Sequence, residues 1–169
     1  MDGSSDPIEI IDWRDPILPV ALEALLQEAI ATENEWAADF RPAWDARPFT
    51  GAGEALFLAR DGAQLLAMAA ISADPFVADN VTGRLRFIYV HTSARRRGLA
   101  DRLVAACLAR AAGTWQRLRL HTDNPVAARL YERYGFHPAA GEWRATHIAE
   151  SIAREITDRV DARTPTNPG

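Results

Sequence analysis

Lysine is absent from the chain: all 19 of its basic residues are arginine. The protein therefore offers no lysine side chain of its own for acylation, and together with abundant alanine this usage points to a GC-rich coding bias. Cysteine is limited to Cys107, which excludes a disulfide framework and a cysteine-based metal cluster. Long apolar runs are missing too. None reaches the length of a membrane span, and the opening "MDGSSDP" is acidic where a secretory leader would be basic. These absences lead us to expect a cytoplasmic protein that contacts no membrane. A net positive charge is also lacking: at −4 the chain does not match a nucleic-acid binder, which would be basic. No His, Cys and Glu stand at metal-ligand spacing, so no metal site is expected.

What is present fits one globular domain over residues 1–169, with 1–7 and 164–169 as tails. The 169 residues are 48% hydrophobic, enough for a substantial core. "IEIIDW", from Ile8, reads as a first strand, and "PVALEALLQEAIA" as a helix with Leu22, Leu25, Leu26, Ala29 and Ile30 on one face. Thr32 and Glu35 have the spacing of a capping box for a second helix, short or kinked because it contains Pro42. Glu54–Ala59 and Gln64–Ile71 predict a hairpin around Asp61-Gly62, and Arg84–Val90 a central strand. A helix follows over Leu99–Ala112, then a strand over Arg117–Thr122, a helix in "NPVAARLYERYG", and a closing hairpin-like pair. Ile148, Ile152, Ile156 and Val160, spaced by four, predict an extra C-terminal helix over Ala149–Arg163. Its apolar stripe needs a cover, and a homodimer is the preferred way to supply one. The order β-α-α-β-β-β-α-β-α-β-β is that of a mixed α/β (α+β) sheet flanked by helices.

The basic triplet in "TSARRRGLADRL" needs a local explanation in an acidic chain. It sits between an apolar strand and a helix start, with Gly98 in the turn. The first amides of a helix have no internal partner and the helix dipole adds positive charge there, so such a turn suits an anion. Small residues open the backbone to a phosphate, and arginines supply further donors. A solvated charge run explains three arginines equally well on this evidence alone.

The stretch "YVHTSARRRGLADRLV" resembles the acetyl-CoA-binding motif of the GNAT N-acetyltransferases, Gln or Arg, two residues, Gly, one residue, Gly or Ala, which falls on Arg95, Gly98 and Ala100. "NPVAARLYERYGF" resembles a second motif of that family, with Asn124, Ala127, Leu130, Tyr131, Gly135 and Phe136 at the specified positions. The resemblance implies a mostly antiparallel sheet with a splay between the fourth and fifth strands. It implies acetyl-CoA as acyl-donor co-substrate, its pantetheine arm along the backbone of Ile88, Tyr89 and Val90. Its pyrophosphate would lie in the turn Arg95, Arg96, Arg97, Gly98, Leu99 and Ala100. Asn124 would contact the cofactor arm, and Tyr131 would protonate the departing thiolate.

The activity implied is direct acetyl transfer to a primary amine of a small molecule. A protein or peptide acetyltransferase, or a CoA-binding regulatory module without turnover, are the alternatives. The general base is open among Glu33, Glu35, Glu54, His121 and water; His91 is given a structural role and Cys107 a buried, inert one. Trp36, Phe40 and Trp44 either wall an acceptor pocket or pack on the sheet. Glu33, Glu35, Asp39 and Asp45 make that region acidic, which hints at a cationic acceptor.

Overall fold

The computed structural model describes residues 8–150. Its elements are β1 (Glu9–Trp13), α1 (Leu22–Ala31), α2 (Ala37–Ala46), β2 (Ala55–Asp61), β3 (Gln64–Ala73), β4 (Thr82–Val90), α3 (Leu99–Ala111), β5 (Arg117–Leu120), α4 (Pro125–Arg133), β6 (His137–Pro138) and β7 (His147–Glu150). A single sheet runs in the order β1-β2-β3-β4-β5-β7-β6. Every neighbouring pair is antiparallel except β4 and β5. No helix of the described residues is long and apolar enough to cross a membrane.

Helices cover both faces of the sheet, which is why β2 and β3 are apolar almost without alternation. On one face Leu22, Leu25 and Leu26 of α1 and Phe40 and Trp44 of α2 meet Leu56, Leu58, Met68 and Ala70. On the other, Leu99, Leu103, Cys107 and Ala111 of α3 meet Phe57, Ala59, Ala67, Ala69 and Ile71. The run of alanines in β3 leaves room for α3 to lie close to the sheet. Gly62, at φ 56°, makes the β2–β3 turn in the left-handed region that the hairpin requires. Pro42 lies inside the ten-residue α2. Proline has no N–H to offer the Ala38 carbonyl, and Ala38 is exposed.

The splay has a simple origin in register. β4 pairs with β5 only from Thr82 to Arg84, opposite Arg117 to Arg119. β5 turns its other edge to β7, and residues 85–90 of β4 run on without a neighbour on that side among the described residues.

β4 also contains a bulge that its sequence hides. Met68 faces Tyr89 and Ala70 faces Arg86, so Ala69 alone opposes Phe87 and Ile88. Phe87 takes φ 57°, a left-handed conformation that an aromatic residue rarely adopts. Its ring is held by Phe40 at 5.1 Å and Trp36 at 5.9 Å between centroids. The extra residue shifts the alternation: Leu85 belongs to the α3 face, whereas Phe87 and Tyr89 belong to the α1–α2 face.

Two expectations are corrected. Thr32 does not cap α2, which begins at Ala37 with no side-chain cap. The Thr32 hydroxyl instead donates to Glu28 O at 2.9 Å, closing α1 before the chain turns at Glu33, φ 66°. Ala149 and Glu150 are not helical, because Leu118 and Arg117 of β5 recruit them as strand partners. The remainder of the expected C-terminal helix, and both tails, lie outside the described residues.

Candidate active site

The gap beside β4 is lined by main chain. His91 N donates to Leu66 O at 2.7 Å, so the alternation of an antiparallel ladder turns the Val90 N–H and C=O the other way, into the gap. The side chains of Ile88 and Val90 pack against the α3 core, and Tyr89 points to the opposite face. Tyr89 is anchored there: its hydroxyl donates to Glu28 Oε2 at 2.7 Å and lies 3.0 Å from Thr32 Oγ1.

Past Val90 the chain makes a tight 3-10 turn, Thr92–Ala94, in which His91 Nδ1 accepts from Ser93 N at 3.1 Å. His91 is thus a capping residue, the structural role expected for it. Ala94 is buried and pins the loop to the core. Arg96 and Gly98 both adopt left-handed φ, 66° and 71°. A Cβ on Gly98 would meet nothing within 4 Å; glycine is favoured there by its φ, and the space above the turn is open. The first bond into α3 runs from Arg102 N to Gly98 O at 3.1 Å, so the amides of Leu99, Ala100 and Asp101 precede the helical ladder. Arg95, Arg96 and Arg97 are exposed and make no ion pair among the described residues. The nearby acid, Asp101, is taken by Arg133 at 3.4 Å and by the Tyr134 hydroxyl at 3.2 Å. A positive loop that the described residues do not compensate therefore sits at the end of the gap.

α4 directly follows β5, beyond the point where β4 and β5 part, and its Tyr131 joins the core that α3 forms. Asn124 caps it, its Oδ1 accepting from Val126 N at 2.9 Å and Ala127 N at 3.4 Å, with Pro125 in the first turn. The cap consumes the acceptor end of the amide and leaves the NH2 group exposed. Tyr131, two turns on, is 7% exposed and its ring meets Phe136 edge-on at 6.2 Å. No hydrogen bond occupies its hydroxyl among the described residues. Burial, with Cys107 nearby, pushes the phenol well above its usual pKa, so it stays protonated. Burial does the same to the Cys107 thiol, which keeps it inert.

The candidates for the base separate. Glu54 is 2% exposed, accepting from Arg47 Nη1 at 2.6 Å and Nη2 at 2.5 Å, Ala73 N at 2.9 Å and Gly51 N at 3.2 Å. Both oxygens are committed, and Glu54 is a structural carboxylate. His121, 3.2 Å from Asp123, directly follows β5 where the gap opens. Glu33 and Glu35 are exposed on the loop between α1 and α2.

The aromatic stripe divides in the same way. Phe40 and Trp44 are fully buried on the sheet, whereas Trp36 is half-buried beside Phe87 and Tyr89. Asp39 and Asp45 are exposed like the two glutamates; the floor between these helices and β4 carries arginines instead.

Sequence reasoning missed Glu28. Its carboxylate accepts from the Tyr89 hydroxyl, the Thr92 hydroxyl and Thr92 N (3.3 Å), and lies 3.3 Å from His91 Nε2. Burial pushes its pKa up, but the hydrogen bonds from Thr92 and Tyr89 outweigh it and the pKa is lowered. A signal existed: an acid in the last turn of a helix opposes the dipole and needs a partner elsewhere. Glu28 ties α1 to the start of the anion loop.

The comparisons agree with this geometry. Residues 10–136 match the model of the Acetyltransferase (GNAT) family. A proposed acetyltransferase of Exiguobacterium sp. 255-15 is similar with a TM-score of 0.76 and 25% identity, covering 94% of this chain and 99% of its own. The acetyltransferase of the GNAT family from Streptococcus pneumoniae gives a TM-score of 0.62 at 19% identity, covering 84% and 95%. A proposed acyl-CoA N-acyltransferase of Klebsiella pneumoniae subsp. pneumoniae MGH 78578 gives 0.59 at 18%, covering 85% and 97%. No curated protein matches. With the family model spanning most of the chain over the strands, loop and helix just described, the protein belongs to the GNAT family of acetyltransferases.

Proposed function

We propose that the protein moves an acetyl group from acetyl-CoA directly to a primary amine of a small molecule while both are bound. The observation that carries this is the juxtaposition of three things at one gap: the outward main chain of Val90, the unpaired arginine loop, and the protonated Tyr131. The arginine loop and the first amides of α3 bind the pyrophosphate. Outward amides of β4 hold the pantetheine arm and steady the carbonyl oxygen as negative charge builds on it. The acceptor nitrogen forms the new C–N bond, the C–S bond breaks, and Tyr131 gives its proton to the sulfur. The proton shed by the nitrogen passes to water, with His121 placed to relay it from the mouth of the gap.

Tyr131→Phe tests this assignment. Thiol release from acetyl-CoA should fall roughly a hundredfold or more, with acetyl-CoA affinity changed by less than about twofold. Unchanged turnover removes Tyr131 from the chemistry. No turnover by the wild-type protein with any small amine, while it still binds acetyl-CoA, overturns the small-molecule assignment.

A further inference from the structure

One charge on the α1–α2 face of the sheet is left unanswered by the described residues. Arg86 lies on β4 just beyond the last residue that pairs with β5. It is half-buried, its guanidinium 4.4 Å from the centre of the Phe87 ring and 5.5 Å from that of Phe49. Its one hydrogen bond among the described residues is a long contact of 3.5 Å to Ser72 Oγ, and it forms no ion pair there. Arginine presents five N–H donors, and with a single long contact to the protein most of those of Arg86 stay open to an added acceptor.

The neighbours cannot supply the missing partner. Asp74 is already shared by Arg119 at 2.9 Å and Arg84 at 3.5 Å. Even so, Arg84 Nη1 is buried without a hydrogen bond. Glu142 is used by Arg119 at 3.1 Å, and Glu54 by Arg47 at 2.5 Å. Arg144 stands over the rings of Phe76 at 5.0 Å and Trp143 at 5.5 Å. Asp39 acts on Arg86 only from beyond contact range. Among the described residues five arginines thus face Asp39, Glu54, Asp74 and Glu142, which leaves a positive charge uncompensated there. Burial first, then the charge of Arg84, lowers the Arg86 pKa to about 10; the group stays charged at neutral pH in surroundings that would gain from an anion.

We propose that Arg86 anchors a carboxylate of the acceptor, and that the acceptor is an amino acid with an apolar side chain. Arg86 is two residues from Ile88, roughly 7 Å of strand, so one guanidinium holds a carboxylate while the amine of the same molecule reaches the gap. Trp36, half-buried beside Phe87 and Tyr89, supplies the apolar wall. This inference rests on the transferase assignment above, and it replaces the cationic acceptor hinted at by the acidic residues of α2 and its preceding loop.

The test uses the full chain, acetyl-CoA, and three matched pairs: phenylalanine, leucine and methionine, each as the free acid and as the primary carboxamide. Thiol release gives kcat/KM, and calorimetry gives acceptor binding to the CoA complex. The acids are expected to exceed their carboxamides by tenfold or more. In Arg86→Gln that acid-over-amide ratio should fall at least tenfold, through KM rather than kcat, and Arg86→Lys should restore part of it. Thermal melts show whether each variant is folded, and Arg86→Lys carries the test if Arg86→Gln is not. Equal use of acids and amides, or a ratio unmoved in folded Arg86 variants, overturns the inference even though transfer itself is established. Arg86-dependent binding of the acids with no thiol release would support the carboxylate anchor and overturn the transferase assignment instead.

Discussion

Replacing Glu54 with alanine separates a structural carboxylate from a catalytic one. In the wild type its two oxygens bridge Arg47, the loop at Gly51 and the end of β3 at Ala73. Arg47 is 58% exposed, so water takes over much of its charge, and the loss there is about 1–2 kcal/mol after that discount. Gly51 N is exposed and finds water. Ala73 N is half-buried, and an amide left unsatisfied there costs about 1–3 kcal/mol. The vacated stem adds about 1 kcal/mol. The sum is about 3–6 kcal/mol, which for a chain of this size lowers Tm by roughly 6–24 °C. Differential scanning fluorimetry measures that shift, and thiol release at a temperature where the variant is folded measures turnover. A large fall in Tm is expected, with kcat within about threefold of the wild type. A Tm within about 2 °C of the wild type with kcat down a hundredfold would refute it, and would return Glu54 to the list of bases.

Further outcomes follow from other parts of the structure. Changing Arg95, Arg96 and Arg97 together to alanine should weaken acetyl-CoA binding at least tenfold and flatten its salt dependence, because these charges are otherwise unpaired; equilibrium binding at two ionic strengths reads this. At Gly98 the strain is in φ and the space is open, so Gly98→Asn should cost less than Gly98→Val, the latter about 1–2 kcal/mol or more by chemical denaturation. A Cβ on Gly83 would lie 2.7 Å from both Leu118 and Trp115, so Gly83→Ala should destabilise the β4–β5 pairing and lower Tm by several degrees. The folded-state pKa of Glu28 is depressed below 4.5, so its contribution to stability is present above that pH and lost as pH falls through the lower folded value. Glu28→Gln should reduce stability at neutral pH and show a shallower loss between about pH 5 and 3 in thermal melts.

Much of the fold was readable because its elements carry strong local marks. Asp61-Gly62 announces a hairpin, Pro125 and Gly135 bracket α4, and the Arg95-to-Ala100 turn joins a strand to a helix. What stayed hidden depends on partners far away in the chain. Thr32 had the right spacing for a cap but found the Glu28 carbonyl and Tyr89 closer. Ile148 fitted a helical stripe, yet β5 lacked a neighbour and took the segment as β7. Glu54 looked like any acid at the start of a strand until Arg47 and Ala73 closed around it. Arg86 shows nothing in sequence, since its lack of a partner follows from where Asp74, Glu142 and Glu54 spend their charges.

The bulge at Phe87 and Ile88 makes β4 a strand written in two frames. Upstream of it, odd-numbered positions look toward α3; downstream, they look toward α1 and α2. Deleting one residue there would restore a regular ladder, and it would also turn the strand's far half inside out. Tyr89 would leave its anchor at Glu28, and Val90 would present its amide to β3 in place of the gap. The irregularity is therefore a one-residue phase shift that lets a single strand feed the hydrophobic core at one end and, at the other, send Tyr89 to Glu28 while the Val90 main chain turns into the gap.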